Sequence, residues 1–344
     1  MKKIIIDGTK QHFKANLHCH TNYSDGTNSP AEVKQGYMQR GYSIVAFTDH
    51  DIMYDQTHLT DENFLALKGY ELATETDCYW TADGHKAMEG LAPNFRSWFY
   101  QKRAHFNLIA KSPNIDVQIC YNPKFNCCPT LKEKDVKSVH FMYERKHTVD
   151  DFNFIIEQAN QNGFLVSYNH PRWSLHMPED YLGLKGLWAV EWCNGGADAS
   201  GYHENTDAYE HLLMMGNKLG TIAADDNHSL NPKSAFQGWT WIIADKLDYT
   251  NVIQAMENGS YYSSRGPLIH CAYIENGTLH VETNGIKMFI IGHTRERFGV
   301  YTYTQENGIN IFDVNISQIC GPYFRFEVLD EHGEKACSNA IFEF

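Results

Sequence analysis

The sequence predicts an α/β fold with a parallel sheet or (β/α) barrel, followed by a small antiparallel β domain. Amphipathic helical patterns alternate with short buried strands up to about residue 259. Polar triplets with His, Asp or Glu follow those strands directly, at the sheet edge where α/β proteins carry their sites. Beyond this point the helical patterns vanish, and only short alternating strand patterns follow.

The first helix–strand unit has clear local signals. Ser29 suits an N-cap, and Glu32 stands three residues later, as a capping box requires. The run 43–47 then predicts a buried strand, which leads directly into Thr48-Asp49-His50.

The same unit recurs further along the chain. Helices are predicted after Thr148 and over residues 207–216. Buried strands are predicted over residues 164–168, 187–192 and 218–224. Each strand leads into polar residues, so we expect these side chains to meet at one edge of the sheet.

The C-terminal residues show a different pattern. Short alternating stretches are separated by turn signals such as Asn276-Gly277 and Asn307-Gly308. We therefore expect two domains: a barrel over residues 1–265 and a small β-sandwich-like domain over residues 266–344.

Residues 95–147 fit neither pattern. This segment holds ten Lys or Arg against four Asp or Glu, in a chain of net charge −13. Long insertions of this kind often act as lids or binding loops. We predict a basic insertion here that acts as a lid or binding loop. The alternative is a solvent-exposed loop without such a role.

Composition narrows the class of partner and the location. A net charge of −13 argues against nucleic-acid binding, and no apolar run approaches the length of a membrane span. The amino terminus lacks the apolar region of a signal peptide, and nine cysteines without a Cys-x-x-Cys motif favour reduced thiols. The sequence thus predicts a cytoplasmic protein without a nucleic-acid duplex or a membrane as partner, and leaves the oligomeric state open.

A pair of histidines, His18 and His20, is the first candidate for a metal site. Side chains two apart on a strand point the same way, so the pair could share one ion. With 18 histidines in the chain, one such pair is expected by chance. Only the recurrence of similar motifs at several strand ends favours a metal site.

Four ordered motifs over about residues 10–265 resemble the PHP (polymerase and histidinol phosphatase) superfamily. They are His18-x-His20 with Asp25, Thr48-Asp49-His50 with a later Gly69-x-Glu71, His170-Pro171, and Asp226-x-His228. Members of that superfamily are metal-dependent hydrolases. The resemblance implies a distorted seven-stranded (β/α) barrel.

The resemblance also implies two or three divalent ions, and imidazole with carboxylate suits Zn, Mn or Fe. The first ion would be held by His18, His20, Glu71 and Asp226, and the second by Asp25, His50 and His228. Glu71 would also bridge to a third ion held by His85 and His170.

Two further residues are candidates for catalytic roles. Asp49 precedes His50 and is interpreted as a carboxylate that orients a metal-binding histidine. Arg172 directly follows His170-Pro171, and its guanidinium could clamp an anionic substrate. A surface salt bridge is the alternative for Arg172.

Clustered divalent ions activate water and stabilise developing negative charge, which suits hydrolysis. We favour a phosphoesterase acting on a small anionic substrate, either a small phosphate ester or a short nucleotide. A carbamate or amide hydrolase on the same site is the alternative. A non-catalytic metal-binding module is less favoured, because every expected ligand position is filled.

Overall fold

The computed structural model describes residues 2–75, 102–128, 134, 136–203, 206–292 and 297–344. The helices within these residues are α1 (Pro30–Met38), α2 (Val149–Gln161), α3 (Pro178–Tyr181), α4 (Gly195–Ala199), α5 (Asp207–Met214) and α6 (Tyr249–Glu257), with 3-10 turns at Thr57–Leu59 and Pro123–Phe125. None of the described helices is long and apolar enough to cross a bilayer.

Strands occur along the whole described chain. Up to residue 264 they are β1 (Lys2–Ile6), β2 (Gln11–Asn16), β3 (Ile44–Phe47), β4 (Leu65–Glu75), β5 (Arg103–Ala110), β6 (Gln118–Ile119), β7 (Ser138–Val139), β8 (Phe164–Tyr168), β9 (Ala189–Asn194), β10 (Gly220–Ala224), β11 (Trp239–Ala244) and β12 (Tyr261–Ser264). The later strands are β13 (Ile269–Glu275), β14 (Thr278–Thr283), β15 (Lys287–Gly292), β16 (Arg297–Val300), β17 (Thr304–Glu306), β18 (Ile309–Asn315), β19 (Tyr323–Leu329), β20 (Lys335–Ser338) and β21 (Ile341–Phe342).

Local sequence signals match the helices and strands closely. Ser29 accepts a hydrogen bond from the backbone N–H of Glu32, whose side chain accepts one from Ser29 in return, so the predicted capping box at α1 is present. Thr148 caps α2 by accepting from the N–H of Asp151. The predicted turn at Asn276-Gly277 joins β13 to β14, with positive φ at both residues.

One large sheet carries most of the fold. Its strands lie in the order β10-β9-β8-β5-β4-β3-β2-β11-β12-β20-β19-β15-β16, with β21 paired to β19. The pairs β2–β3, β3–β4, β8–β9 and β9–β10 are parallel, as the alternation of helices and strands predicts. Apolar side chains of β5, β8 and α2 form the largest core cluster beside these strands.

Strand β5 departs from the predicted parallel arrangement. It pairs antiparallel with β4 on one side and with β8 on the other. It also lies within the segment 95–147, for which the sequence predicts a basic insertion. Its side chains from Ala104 to Ala110 are buried, so this stretch belongs to the main sheet.

The fold is mixed α/β, but the described strands do not close into the predicted seven-stranded barrel. Edge strand β10 lies beside β11 without a backbone ladder between the two. Instead, the Thr240 hydroxyl accepts from the Ala223 N–H at 3.1 Å and donates to the Ala223 carbonyl at 3.0 Å. A side-chain hydroxyl, not a neighbouring strand, thus satisfies both backbone groups of Ala223 on this side of β10.

The C-terminal residues form an antiparallel β domain. A five-stranded sheet, in the order β1-β13-β14-β18-β17, packs over β15, β19 and β20 around a shared apolar core. Strand β1 therefore pairs with the C-terminal strands, and β12 joins β11 to β20 in one continuous sheet. The division at residue 265 stays a prediction.

A buried arginine ties this β domain to helix α5 of the preceding α/β part. Arg325 in β19 is fully buried and pairs with Glu210 of α5 and with Glu327, the latter at 2.8 Å. Lys335, whose side chain is 44% exposed, also pairs with Glu327, at 3.3 Å.

Replacing Arg325 by Met should lower the free energy of unfolding by about 3–5 kcal/mol, because two carboxylates then lose their buried cation. The matched change Lys335→Met removes an exposed partner of the same Glu327 and should cost at most about 1 kcal/mol. Urea titration followed by tryptophan fluorescence measures both effects. Equal losses in the two variants would contradict the role given to Arg325.

Candidate metal centre

Histidines and carboxylates in or directly after five strands converge at one edge of the main sheet. His18 and His20 follow β2, His50 follows β3, Glu71 lies in β4, and His170 follows β8. Asp25, Asp226 and His228 complete the set from the loops after β2 and β10. The structure thus brings together eight of the nine predicted metal-binding residues.

One more histidine belongs to this group, although the sequence analysis missed it. His105 lies near the start of β5, opposite Ala73 of β4, and its Nδ1 is 3.1 Å from the Glu71 Oε1. Because β5 runs antiparallel to β4, its first residues lie at the edge where the parallel strands end. His85, the predicted ligand after Glu71, lies outside the described residues.

Four overlapping groups of side chains could each hold an ion, since their donor atoms lie within 4.8 Å of one another. The groups are His20-Asp25-His50-His228, His18-His20-Asp226, His18-Glu71-His170 and His50-Glu71-His105. Four residues belong to two groups each: His18, His20, His50 and Glu71. Shared residues of this kind are expected where adjacent ions have ligands in common.

Glu71 occupies the middle of the cluster. Its fully buried carboxylate lies 3.1 Å from the His18 Nε2, 3.0 Å from the His50 Nδ1 and 3.3 Å from the His170 Nε2. Asn169 donates a hydrogen bond of 2.9 Å to the Glu71 Oε1 and so fixes the rotation of the carboxylate.

A second buried carboxylate, Glu191 in β9, orients the ligands from behind. It lies 2.9 Å from the His18 Nδ1, accepts from the backbone N–H of His170 at 3.0 Å and accepts from the Asn194 amide at 2.8 Å. Such a partner on one ring nitrogen leaves the other nitrogen free to face an ion. The sequence offered no motif around Glu191 that indicated this role.

The backbone is strained at several of these strand ends. Asp51, His170 and Asp226 have φ values of 56°, 26° and 49°, in the left-handed region that non-glycine residues rarely adopt. Strain of this kind collects at functional sites, where the surrounding contacts hold it in place.

The donor atoms fit a group of divalent cations. His20 Nδ1, Glu71 Oε2 and Asp226 Oδ1 are buried, yet they make no hydrogen bond of good geometry to any described residue. Buried polar atoms normally have partners, and such atoms with lone pairs facing a common space are what a cation satisfies. Imidazole and carboxylate oxygen without thiolate suit Zn, Mn or Fe.

Charges in the cluster depend strongly on one another. Burial alone would raise the pKa of Glu71, but His105, His18 and His50 hold it well below its usual value. Burial lowers the pKa of His50, but Glu71 and Asp25 outweigh that effect and raise it to about 9. Asp25 and Asp226 likewise overcome burial at His228 and raise its pKa to about 9.

A cavity of about 380 Å³ opens onto the cluster. Its outer wall includes the cations Arg103 and Lys124 and the aromatic rings of Phe125 and Trp173. The Trp173 ring lies edge-on to the His170 ring, with ring centres 4.9 Å apart.

An ion pair holds this wall in position. Arg145 pairs with Asp51, donates to the Ala73 carbonyl at 2.6 Å and donates to the Cys120 carbonyl at 3.0 Å. Its guanidinium also lies over the Phe125 ring, at 4.7 Å from the ring centre. Residues 118–128 are therefore fixed against the strand that carries Glu71, which gives this part of the basic segment a defined place beside the cavity.

The catalytic roles of Asp49 and Arg172 stay predictions, and the structure shows the contacts that each residue makes. Asp49 accepts from the Thr21 N–H and from the Ser24 hydroxyl, both at 2.7 Å, so it shapes the loop that carries Asp25. Arg172 donates to the His203 carbonyl at 3.0 Å and lines a different pocket. The backbone of His170 is left-handed, and the chain turns there, so that Arg172 lines this other pocket and not the cavity of the cluster.

The chain belongs to the PHP domain family, whose members are mostly metal-dependent hydrolases. The family model matches residues 16–215. This span carries every residue of the cluster except Asp226 and His228.

Solved structures with a similar fold share little sequence with the chain. A two-domain protein from Bacteroides vulgatus, containing a predicted PHP-like metal-dependent phosphoesterase, is 13% identical, with 97% of this chain and 96% of that one covered at a TM-score of 0.44. An amidohydrolase from Chromobacterium violaceum is 14% identical, with 72% and 96% covered at a TM-score of 0.35. No curated protein matches the chain.

The exclusion of a nucleic-acid duplex as partner is contradicted. Among the similar structures is endonuclease Q in complex with a 27-mer duplex that has an abasic lesion at its active site. It is 12% identical, with 73% of this chain and 58% of that one covered at a TM-score of 0.41. A net charge describes the whole surface and says nothing of the local charge around a cleft, so −13 was not a sound basis for the exclusion.

Replacing Glu71 by Gln should remove more metal than replacing His105 by Ala, because Glu71 contacts two groups of ligands and His105 only one. Elemental analysis of protein loaded with Mn or Zn and then desalted measures the bound ions. The exposed His58, replaced by Ala, is the control and should keep the full metal content. Equal losses from the Glu71 and His105 variants would mean that Glu71 does not bridge.

Metal binding should release protons at pH 7. His50 and His228, each with a pKa raised to about 9 in the metal-free protein, must lose a proton before they can bind an ion. Metal affinity should therefore fall as the pH drops below 9, and the proton release should vanish above it. Calorimetric titration in two buffers of different ionisation enthalpy counts the protons. Identical binding heats in both buffers at pH 7 would contradict the protonated state of these rings.

Proposed function

We propose that this chain is a metal-dependent phosphoesterase that hydrolyses a small anionic phosphate ester. The observation that carries the proposal is a cavity that combines the histidine and carboxylate cluster with the cationic side chains of Arg103 and Lys124. Negative carboxylates form the floor, so an anionic substrate needs cations to compensate them.

The proposed ligands are the eight described residues predicted from the motifs, together with His105, for two or three ions. When bound, divalent ions lower the pKa of a water molecule and stabilise the charge that develops on the phosphoryl oxygens. The ligand set without thiolate favours Zn, Mn or Fe. Glu191 acts as a positioning residue, because it contacts His18 and the His170 backbone but does not line the cavity.

The wall residues give the site its preference for an anion. The guanidinium of Arg103 offers a planar, bidentate fit to phosphate oxygens, and Lys124 adds a compact charge. Phe125 and Trp173 supply apolar surface for the rest of the ester. Arg145 keeps Lys124 and Phe125 in place through its pair with Asp51.

Replacing Arg103 or Lys124 by Ala should raise the KM for a phosphomonoester by about tenfold or more, since a charge-assisted hydrogen bond contributes about 1.5–3 kcal/mol. Arg172→Ala is the matched control, because this arginine follows a ligand directly but lines another pocket. Steady-state kinetics on p-nitrophenyl phosphate with Mn- and Zn-loaded protein gives kcat and KM separately.

Inorganic phosphate should inhibit the phosphomonoesterase reaction competitively. A neutral p-nitrophenyl carbamate distinguishes the alternative hydrolase, since it has no need of the two cations. Carbamate turnover without phosphatase activity, unaffected by phosphate or by the two substitutions, would overturn the proposal in favour of a carbamate or amide hydrolase.

A further inference from the structure

A second cluster of metal-binding side chains lies on the β domain and shares no residue with the first. It is built on the hairpin of β13 and β14, whose two-residue turn at Asn276-Gly277 fixes the register. This register sets Cys271 opposite Glu282 and Tyr273 opposite His280. All four side chains therefore lie on the same face of the sheet, away from its apolar core.

Three different donor types meet on this face. The Cys271 thiol, a ring nitrogen of His280 and a carboxylate oxygen of Glu282 lie within 4.8 Å of one another. The His280 Nε2 and the Glu282 Oε1 are 3.2 Å apart. Thiolate, imidazole and carboxylate are the usual ligands of zinc, and three of them leave a fourth tetrahedral position for water.

The other nitrogen of the histidine has its own carboxylate partner. The His280 Nδ1 lies 2.7 Å from the Asp313 Oδ1 on the neighbouring strand β18. Histidines that bind metal commonly donate their second N–H to a carboxylate, which fixes the tautomer and directs the other lone pair at the ion. This contact is independent of the three converging donors and directs the His280 Nε2 toward them.

Local backbone features aim and shield the thiol. The β13–β14 pairing shifts register between Ile269 and Cys271, and such a bulge redirects the side chains beside it. The turn between β1 and β2 approaches so closely that a Cβ at Gly8 would lie 2.9 Å from the Cys271 Cβ. The ring of Tyr273 stacks on His280, with ring centres 4.5 Å apart, and limits the rotation of the imidazole.

We propose that Cys271, His280 and Glu282 form a zinc site on the β domain, with Asp313 as the residue that positions His280. The site connects β13 to β14 and, through Asp313, to β18. It is separate from the proposed phosphoesterase function, because none of its residues lines the cavity of the metal centre.

Cobalt spectroscopy tests the site without any activity assay. After chelation, Co²⁺ added to the full chain should give a thiolate-to-cobalt charge-transfer band, since Co²⁺ occupies zinc sites with the same ligands. Cys271→Ser should abolish the band and lower the zinc content by one ion per chain. Cys320→Ser and Cys127→Ser are the matched controls: the first is an exposed thiol of the same domain, and the second is the thiol that lines the metal-centre cavity.

A second pair of variants keeps the thiol in place. Asp313→Asn should weaken Co²⁺ binding about 10–100-fold while the band keeps its full intensity at saturation. His280→Gln should weaken it further and change the ligand-field spectrum. Circular dichroism checks that each variant is folded.

The proposal is overturned if the wild-type chain gives no charge-transfer band. It is equally overturned if the band survives Cys271→Ser, or if Cys127→Ser removes it and so places the thiolate ligand at the metal centre. A zinc content that is the same in wild type and Cys271→Ser would show that the cluster is an ion-pair network only.

Discussion

The buried carboxylate of Glu71 is the constraint to which the rest of the site responds. It lies within 3.5 Å of ring nitrogens from five histidines, His18, His20, His50, His105 and His170. An ionised carboxylate away from water is costly unless positive charge compensates it. Protonated imidazoles can supply that charge, and divalent ions supply it more completely. Because Asp25 and Asp226 add further negative charge, the cluster is best satisfied by several cations.

The architecture explains how so many polar side chains reach one point. Parallel strands end at a common edge, and the antiparallel strand β5 begins there, so both kinds of strand deliver ligands to the same place. A hydrogen bond from Asn169 to Glu71 and the contacts of Glu191 then fix the orientation of these side chains. On the open side, the pair between Arg145 and Asp51 fixes the loop that forms one wall of the cavity. The same few contacts therefore determine both the ligand geometry and the shape of the pocket.

Much of this was predictable from the sequence, because the signals are local. Ser29 and Glu32 define a helix start within four residues, and the apolar runs before His50 and His170 define strands. The ordered motifs identified the family and eight candidate ligands whose side chains the structure brings together. Membership of the PHP family is confirmed by the family model.

The remaining features depend on contacts that no local pattern encodes. An apolar run such as that of β5 has the same composition whether it pairs parallel or antiparallel, so its reversal and the position of His105 were not predicted. The open sheet was not predicted either, because β11 pairs with β2 and with β12 and leaves β10 at the edge. Arg172 turned away from the cavity although it follows a ligand. The exclusion of nucleic acid was wrong, since net charge averages over the whole surface.

Glu71 is proposed to join neighbouring cations in one centre. Diffraction from crystals of the Mn- or Zn-loaded chain, measured at the absorption edge of the metal, locates these cations. We expect two or three anomalous peaks among the histidines, with Glu71 oxygens within bonding distance of two of them. A single peak, or peaks that Glu71 does not contact, would contradict it.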